Sequence, residues 1–429
     1  MLPVPALPRG MTTGDDMGNL MTTKRMLACG GLLLIAGGSV LTAQNAAAPV
    51  ARYEMRAGTI SGMAGMRGGG MGAALGMAFG GGGGAQHELW LELGSSRTAA
   101  DGKPKADHFM PAGARLGKSV ALKTPERTPT APGETHFERP TGRMLIFWGC
   151  GEHAPKGQPV IIDFAKIAAG QMPPGLWSSA VPLDRYVTPA NSRTYGLWPS
   201  DDGKSARPDS SLIGAHRIAG NYAPDINFTL TKDFMGALQG SSAAQPGGAT
   251  LLRWNALPGA TGYHASIIGG KQGARGGNQP VDIVWWSSSA TREFGGGLAD
   301  WLAPSTVARL VANRTVLSPQ TTTCTVPAEV KQAAPDYMFG SIYAYGPEED
   351  FAYPPRPADP KIAWKPEWTA RIRHRSMTGF LVGMEGLGAA NGAQPQRECP
   401  TKPKKRGLGG LGGLIGGALG APTGGQDGC

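Results

Sequence analysis

The sequence is poor in charge, in cysteine and in stretches that could propagate a helix. Charged residues make up only 17% of its 429 positions, against roughly 25% in ordinary soluble domains. Glycine (67) and proline (36) together occupy 103 positions, and both residues interrupt helices. Apolar residues still reach 41%, which is enough to build a core. The composition excludes a collagen, a coiled coil and a wholly disordered chain, and it disfavours a helix-rich enzyme.

Recognisable catalytic motifs are also missing. The seven histidines show no zinc-type spacing, and neither HExxH nor GxSxG occurs. Residues 112–119 (AGARLGKS) fit a loose phosphate-binding loop, but the prolines that follow prevent the helix that such a loop requires. The sequence therefore predicts no cofactor and no metal site, and it favours a non-catalytic protein.

The net charge is positive. Lysine and arginine (41) exceed aspartate and glutamate (31) by 10, and a surface of this sign attracts anionic partners in general. Nucleic acid would be the first such partner to test from charge alone, but the N-terminal segment argues against it.

Residues 1–48 have the pattern of a leader that contains a secretory signal peptide. Lys24 and Arg25 precede an apolar run over residues 26–41, and small residues follow. A membrane-anchoring helix is the alternative, but the run is shorter than the ~20 residues that span a bilayer. We therefore expect export to the periplasm, the outer membrane or the cell surface of a bacterium, where nucleic acid is not the partner.

Two glycine-rich segments flank the remainder. Residues 49–85 are rich in glycine and methionine, which predicts a disordered, flexible segment. Residues 386–429 combine a basic cluster with glycines four apart, so membrane-surface contact or self-association through residues 402–421 is one hypothesis and a disordered tail is the other. In this tail Cys399 and Cys429 are a possible disulfide pair, with free thiols as the alternative.

Between these ends the chain consists of short β-favouring segments separated by Gly, Pro, Asn and Asp. This pattern is typical of β-sandwiches rather than of βαβ units. In the segment HELWLEL, for example, leucines alternate with glutamate and tryptophan. We predict an N-terminal β domain over residues 86–232, a linker over 233–247, and a second β domain with an extension over 248–385.

The second β domain opens with LLRWNALPGATGYHASIIGG and continues with TTTCTVPAEV and DYMFGSIYAYG. A Trp in a strand, a Pro-Gly-Ala-Thr turn and a Tyr in the next strand resemble the opening of fibronectin type III-like (Ig-like) modules, over about residues 248–350. The resemblance implies a β-sandwich in which Trp254 and Tyr263 are core residues and Tyr337 is the corner tyrosine.

The sequence departs from these modules at two places. The interval over residues 269–312 is longer than their middle loops, and Ser341 stands where they bury an aliphatic residue. The family implies architecture more than activity. The predicted fold class is therefore mainly β, with two β-sandwich (Ig/fibronectin III-like) domains and disordered glycine-rich N- and C-terminal segments.

The densest reactive cluster lies in FWGCGEH, with Cys150, Glu152 and His153. A thiol beside an imidazole supports nucleophilic or metal-binding chemistry. Adjacent positions on a strand point to opposite faces, so a bulge at the neighbouring glycines would have to bring the three side chains together. This cluster carries the alternative hypothesis of a thiol-dependent or carbohydrate-active periplasmic enzyme.

Ten tryptophans are the other notable feature. Trp198, Trp285 and Trp286 lie in or near predicted strands, and the adjacent pair must show one indole to each face. An exposed indole can stack on a sugar ring, with nearby cations meeting acidic groups; core packing is the alternative for each ring. The sequence thus favours a non-catalytic exported envelope protein that acts as a binding, adhesion or structural module, with anionic envelope polysaccharide or other envelope proteins as partners.

Overall fold

The computed structural model describes residues 48–65, 84–125, 142–171, 181, 187–272, 280–359 and 361–383. This part of the chain is mainly β. The strands are β1 Ala51–Gly62, β2 Gln86–Ser95, β3 Ala106–Phe109, β4 Ser119–Ala121, β5 Arg143–Trp148, β6 Val160–Asp163, β7 Thr194–Trp198, β8 Gly214–Gly220, β9 Ile226–Leu230, β10 Gly240–Ala244, β11 Thr250–Trp254, β12 Gly262–Gln272, β13 Pro280–Ser287, β14 Thr323–Val326, β15 Tyr337–Tyr353 and β16 Trp368–Leu381. The helices are α1 Phe164–Ala168, α2 Pro304–Ala312 and α3 Ala328–Ala333.

The strands form three sheets. The largest has nine strands in the order β6-β5-β13-β12-β15-β16-β1-β2-β7, and the smaller ones have the orders β4-β3-β8-β9 and β10-β11-β14. In the large sheet β1 pairs with β16, and β5 with β13, in parallel, whereas the other pairs are antiparallel. Its strands therefore come from both of the β domains that the sequence predicts.

Both small sheets pack on one face of the large sheet, called here the inner face. The four-stranded sheet shares a core with β1, β2 and β16, and the three-stranded sheet shares another with β5, β12, β13 and β15. The first core includes Tyr53, Leu91, Phe228 and Ile372. The second core includes Phe147, Leu252, Trp286 and Ile342.

Two predictions about segment boundaries need correction. Part of the expected flexible segment over residues 49–85 is β1, because Tyr53, Met55 and Ala57 alternate with charged residues and are fully buried on the inner face. The expected linker over 233–247 contributes strand β10. Residues 1–47 of the expected leader (1–48), and the tail over 386–429 with its two cysteines, lie outside the described residues.

The first core contains a buried polar chain of three side chains. Nε2 of His216 lies 2.7 Å from the carbonyl oxygen of Leu212, so this nitrogen carries the proton and Nδ1 of the same ring accepts. Nε2 of His108 must then donate to that Nδ1 at 2.9 Å, and the Tyr53 hydroxyl donates to Nδ1 of His108 at 2.7 Å. Both rings are neutral in this arrangement, and burial lowers the pKa of each.

The opposite, outer face of the large sheet carries a band of paired charges where β15, β16, β1 and β2 lie side by side. Arg375 donates to Glu88 at 2.7 Å, and Arg56 donates to Glu92 at 2.6 Å. Arg373 also pairs with Glu348. These side chains are mostly buried, so each needs its partner: isolated charges at such positions are strongly destabilising.

We expect the Arg375–Glu88 pair to behave as one coupled unit. Arg375→Met alone should lower the free energy of unfolding by about 3–5 kcal/mol, because it leaves the Glu88 carboxylate buried without its cation. Glu88→Gln combined with Arg375→Met should cost at least ~1 kcal/mol less than the sum of the single changes, as measured by urea unfolding.

The exposed pair Arg217–Asp225 is the control for this cycle. Its side chains are 53% and 48% accessible, and such pairs couple by about 0.2–1 kcal/mol. Equal coupling at the two pairs, or strict additivity at Arg375 and Glu88, would contradict the assignment of a buried pair.

We also expect the protein to lose stability as the pH falls below about 6.5. Burial lowers the pKa of five histidines among the described residues: His87, His108, His216, His264 and His374. Two of them, His264 and His374, have a pKa of about 4 in the folded protein. The unfolded chain therefore binds protons that the folded protein excludes, and each such group adds a slope approaching about 1.4 kcal/mol per pH unit.

Two carboxyl groups oppose this trend. Burial raises the pKa of Glu54, and burial together with the Glu348 charge raises the pKa of Asp350 to about 6. These acids take up protons more readily in the folded protein, but two groups should not outweigh five. Urea unfolding at intervals between pH 7.5 and 4.5 measures how the free energy of unfolding changes with pH. A free energy of unfolding that stays constant or rises as the pH falls would contradict this prediction.

Candidate functional site

A loop between β13 and α2 lies over the outer face and is anchored by the charge band. The guanidinium carbon of Arg375 is 3.5 Å from the ring centre of Trp301, a cation–π contact. Arg375 also donates to the carbonyl of Ala299, and the Tyr345 hydroxyl donates to the carbonyl of Leu298 at 2.5 Å. These bonds hold the loop backbone beside the neighbouring strands.

Between this loop and strands β12, β13 and β15 is a cleft of about 130 Å³. Its lining residues are His264, Ser266, Ile268, Trp285, Gly295, Leu298, Ala299, Phe339, Ser341 and Tyr343. The strand residues among them follow the period of two that puts alternate side chains on one face. The cleft is thus formed by the register of β12, β13 and β15 and by the position of the anchored loop.

One side of the cleft is an apolar row that crosses neighbouring strands. Ile268 is directly opposite Trp285 on one side and Phe339 on the other, and Phe339 is opposite Leu381. Ile268 and Phe339 are each 46% exposed, which is unusual for large apolar residues on adjacent strands. Trp285 is half-buried, and its Nε1 donates to the Glu293 carbonyl at 3.1 Å.

The polar part of the cleft is built around His264. This side chain is only 3% exposed, and its Nε2 lies 3.1 Å from Oγ of Ser287. Within the described residues its Nδ1 has no hydrogen-bond partner. Burial lowers the pKa of His264 to about 4, so the ring is neutral at pH 7.

Two more polar residues extend this part of the cleft along β15. Tyr343 is largely buried and forms a side-chain hydrogen bond with Ser341. Burial raises the pKa of the Tyr343 hydroxyl, which therefore stays protonated and able to donate at neutral pH. The cleft thus combines apolar walls with uncharged hydrogen-bonding groups, the usual composition of a small-ligand site.

Of the three tryptophans proposed from the sequence, the structure brings only Trp285 to this site. Trp286 on the inner face is fully buried and donates to the Gly149 carbonyl at 3.0 Å. Trp198 is 1% exposed and donates to Asp202 at 3.0 Å. Both rings are core residues, so their assignment as ligand contacts is wrong.

The FWGCGEH segment does not form a reactive site. Cys150 is joined to Cys324 in a disulfide, so the thiol that nucleophilic chemistry requires is not free. His153 is largely exposed and pairs with Glu329 at 3.1 Å, while the carbonyl of Glu152 accepts from Ala328. The segment therefore ties the end of β5 to β14 and α3, which corrects the thiol-dependent hypothesis.

The expected packing residues of the second β domain have different outcomes. Trp254 and Tyr263 are buried with their rings 5.8 Å apart. The tyrosine that bonds to the preceding turn is Tyr263, whose hydroxyl accepts from the Leu257 N–H at 2.8 Å. Tyr337 is instead half-buried on the outer face, with its ring 5.8 Å from that of Phe339.

Among the described residues, no helix has the length and apolarity needed to cross a membrane. In the same residues no group of three or more His, Cys, Asp or Glu side chains is placed to hold a metal ion. No protein-family model matches the chain, and no curated protein matches it at a significant level. Function is therefore inferred from the geometry of the cleft.

We expect the Cys150–Cys324 disulfide to contribute strongly to stability, because its cysteines are 174 positions apart. Replacing both by alanine should lower the free energy of unfolding by about 2–4 kcal/mol, with a loop-entropy limit near ~5 kcal/mol. Non-reducing peptide mapping of the wild-type protein should recover the two cysteines in one linked pair of peptides. A free Cys150 thiol in the folded protein, or a double variant as stable as wild type, would contradict this role.

Proposed function

We propose that the protein is a non-catalytic, exported binding module of the bacterial cell envelope, and that its ligand site is the cleft beside Trp285. The single observation that carries this proposal is the composition of the cleft. Large apolar side chains remain exposed beside hydroxyl groups and the neutral ring of His264, and a bound ligand would cover this apolar surface.

Export is supported by two features. The sequence over residues 1–48 has the charge and hydropathy pattern of a signal peptide, and the Cys150–Cys324 disulfide is a type of bond that persists in oxidising compartments. The periplasm, the outer membrane and the cell surface all meet this condition. Two two-layer sandwiches that share the large sheet, the second of them Ig/fibronectin III-like, are the architecture that we propose for such a module.

A hydrolytic role is less well supported by the same geometry. Ser287 lies beside His264, but it is 1% exposed and does not line the cleft. Its Oγ also accepts the Ser289 N–H. A catalytic serine needs an accessible hydroxyl and a base oriented by a third group, whereas Nδ1 of His264 has no partner within the described residues.

The tail hypothesis is independent of the cleft. Membrane-surface contact or self-association through residues 402–421 concerns a segment outside the described residues, so it stays a prediction from the sequence. Anionic envelope polysaccharide and other envelope proteins remain the partner classes that the sequence favours, and the positive net charge of +10 supports the former.

The proposal is tested by producing the full chain with its leader in a bacterium. We expect the protein in the envelope or periplasmic fraction, with an intact mass that lacks the leader. The recovered protein should sediment with the insoluble polysaccharide fraction of the envelope. Phe339→Asp should weaken this sedimentation about tenfold or more, because it places a charge in the apolar wall of the cleft.

Phe109→Asp is the matched control, since Phe109 is 38% exposed but lies on β3, away from the cleft. It should leave sedimentation unchanged. Equal sedimentation of both variants with wild type would remove the cleft from the proposed function. Recovery of the protein from the cytosol with its leader intact would overturn export.

A further inference from the structure

The size of the cleft limits its ligand to about one ring. A single water molecule needs about 10–15 Å³ of cavity, so a cleft of about 130 Å³ accommodates roughly ten non-hydrogen atoms. This corresponds to one six-membered ring with its substituents. A longer chain would have to leave most of its units outside the cleft.

The uncharged lining of the cleft favours an uncharged ring. None of the described residues that line it is an aspartate, glutamate, lysine or arginine. Its one titratable imidazole, His264, is neutral at pH 7 because burial lowers its pKa to about 4. The nearest guanidinium on the charge band, that of Arg375, already pairs with Glu88 and stacks on Trp301. A carboxylate in the cleft would therefore lose its hydration without gaining a cation.

The distribution of polar groups selects a ring that carries hydroxyls. The cleft is lined by the neutral ring of His264 and by Ser266, Ser341 and Tyr343, each of which carries a hydroxyl. A purely aromatic or aliphatic ring would cover these hydroxyls and offer them no hydrogen bond beyond the one between Ser341 and Tyr343. A ring with hydroxyls on its edge can satisfy several of them at once.

The apolar side chains of the cleft also fit a sugar ring. Trp285, Phe339 and Ile268 offer apolar surface on the side of the cleft away from His264. The C–H face of a sugar ring can pack on such aromatic surface while the ring hydroxyls point toward the polar groups. This division into one apolar and one hydrogen-bonding side is the arrangement that a pyranose requires.

We propose that the cleft binds a single uncharged sugar residue, as a terminal unit or a side unit of an envelope polysaccharide. This inference rests on the proposed binding function and refines it, since the charge of +10 would act on the rest of an anionic polymer rather than inside the cleft. Recognition in the cleft then depends on ring shape and hydroxyl pattern, and general attraction depends on surface charge.

The test uses the full-length protein and a panel of probes in calorimetry and saturation-transfer NMR. The probes are the methyl glycosides of glucose, galactose, mannose and N-acetylglucosamine, with methyl glucuronide as the charged counterpart and benzyl alcohol as the aromatic one. At least one uncharged glycoside should bind, and at least about fivefold more tightly than methyl glucuronide and benzyl alcohol.

Variants locate that binding. Phe339→Ser and Ser341→Ala should each weaken the preferred glycoside about three- to tenfold, whereas Phe109→Ser should not. Phe339 is 46% exposed, so its replacement should be compatible with folding. Circular dichroism of each variant checks that it is folded. Lowering the pH from 7 to 4.5 should not weaken binding of the glycoside to a folded protein, because His264 stays mainly neutral down to about pH 4.

Three results would overturn the inference: no uncharged glycoside binds, methyl glucuronide binds as tightly as its uncharged counterpart, or benzyl alcohol binds more tightly than every glycoside. If any of these occurs while Phe339→Asp still weakens sedimentation with envelope polysaccharide, the binding function stands and only the choice of sugar is wrong. If sedimentation is also independent of the cleft, the proposed function fails with it.

Discussion

The parallel pairing of β1 with β16 is the interaction on which the other features depend. It joins the first described strand to the last, and Glu54 and Arg371, which face each other across it, are 317 positions apart in sequence. On the inner face the pairing closes the core around Tyr53 and Ile372. On the outer face it brings β2 and β16 to either side of β1, so that Arg375 reaches Glu88 and the loop above it is held in place.

The buried charged side chains fix the register of this pairing. A shift of β1 by one residue would move its charged side chains to the inner face and its apolar ones to the outer face. The cost would be large, because several carboxylates and guanidinium groups would lose their partners in a region of low solvent access. The same constraint fixes the position of Trp301 on Arg375, and through Leu298 and Ala299 it fixes one wall of the cleft. The charge band on the outer face therefore determines the geometry of the cleft.

Sequence periodicity predicts many of the strands and the mainly β class, but it does not predict their pairing. The alternation in HELWLEL and the opposite orientation of Trp285 and Trp286 follow from the period of a strand. Strand β1 shows the same alternation at Tyr53, Met55 and Ala57, but the glycine-rich sequence that follows it makes the whole segment read as flexible. The disulfide does not follow from the sequence, since the four cysteines that come after residue 48 allow three connectivities and only the fold places Cys150 beside Cys324.

The cleft lies where the sequence departs from the fibronectin type III-like pattern. The long interval over residues 269–312 supplies β13, the anchored loop and α2, and Ser341 contributes a hydroxyl to the cleft from the outer face of β15. A sheet face that is simply packed has no reason to combine a serine, a buried imidazole and an exposed Phe339. Packing alone would favour filling this space with aliphatic side chains, because exposed aromatic surface lowers stability. Their presence at one place supports the proposed ligand site beside Trp285.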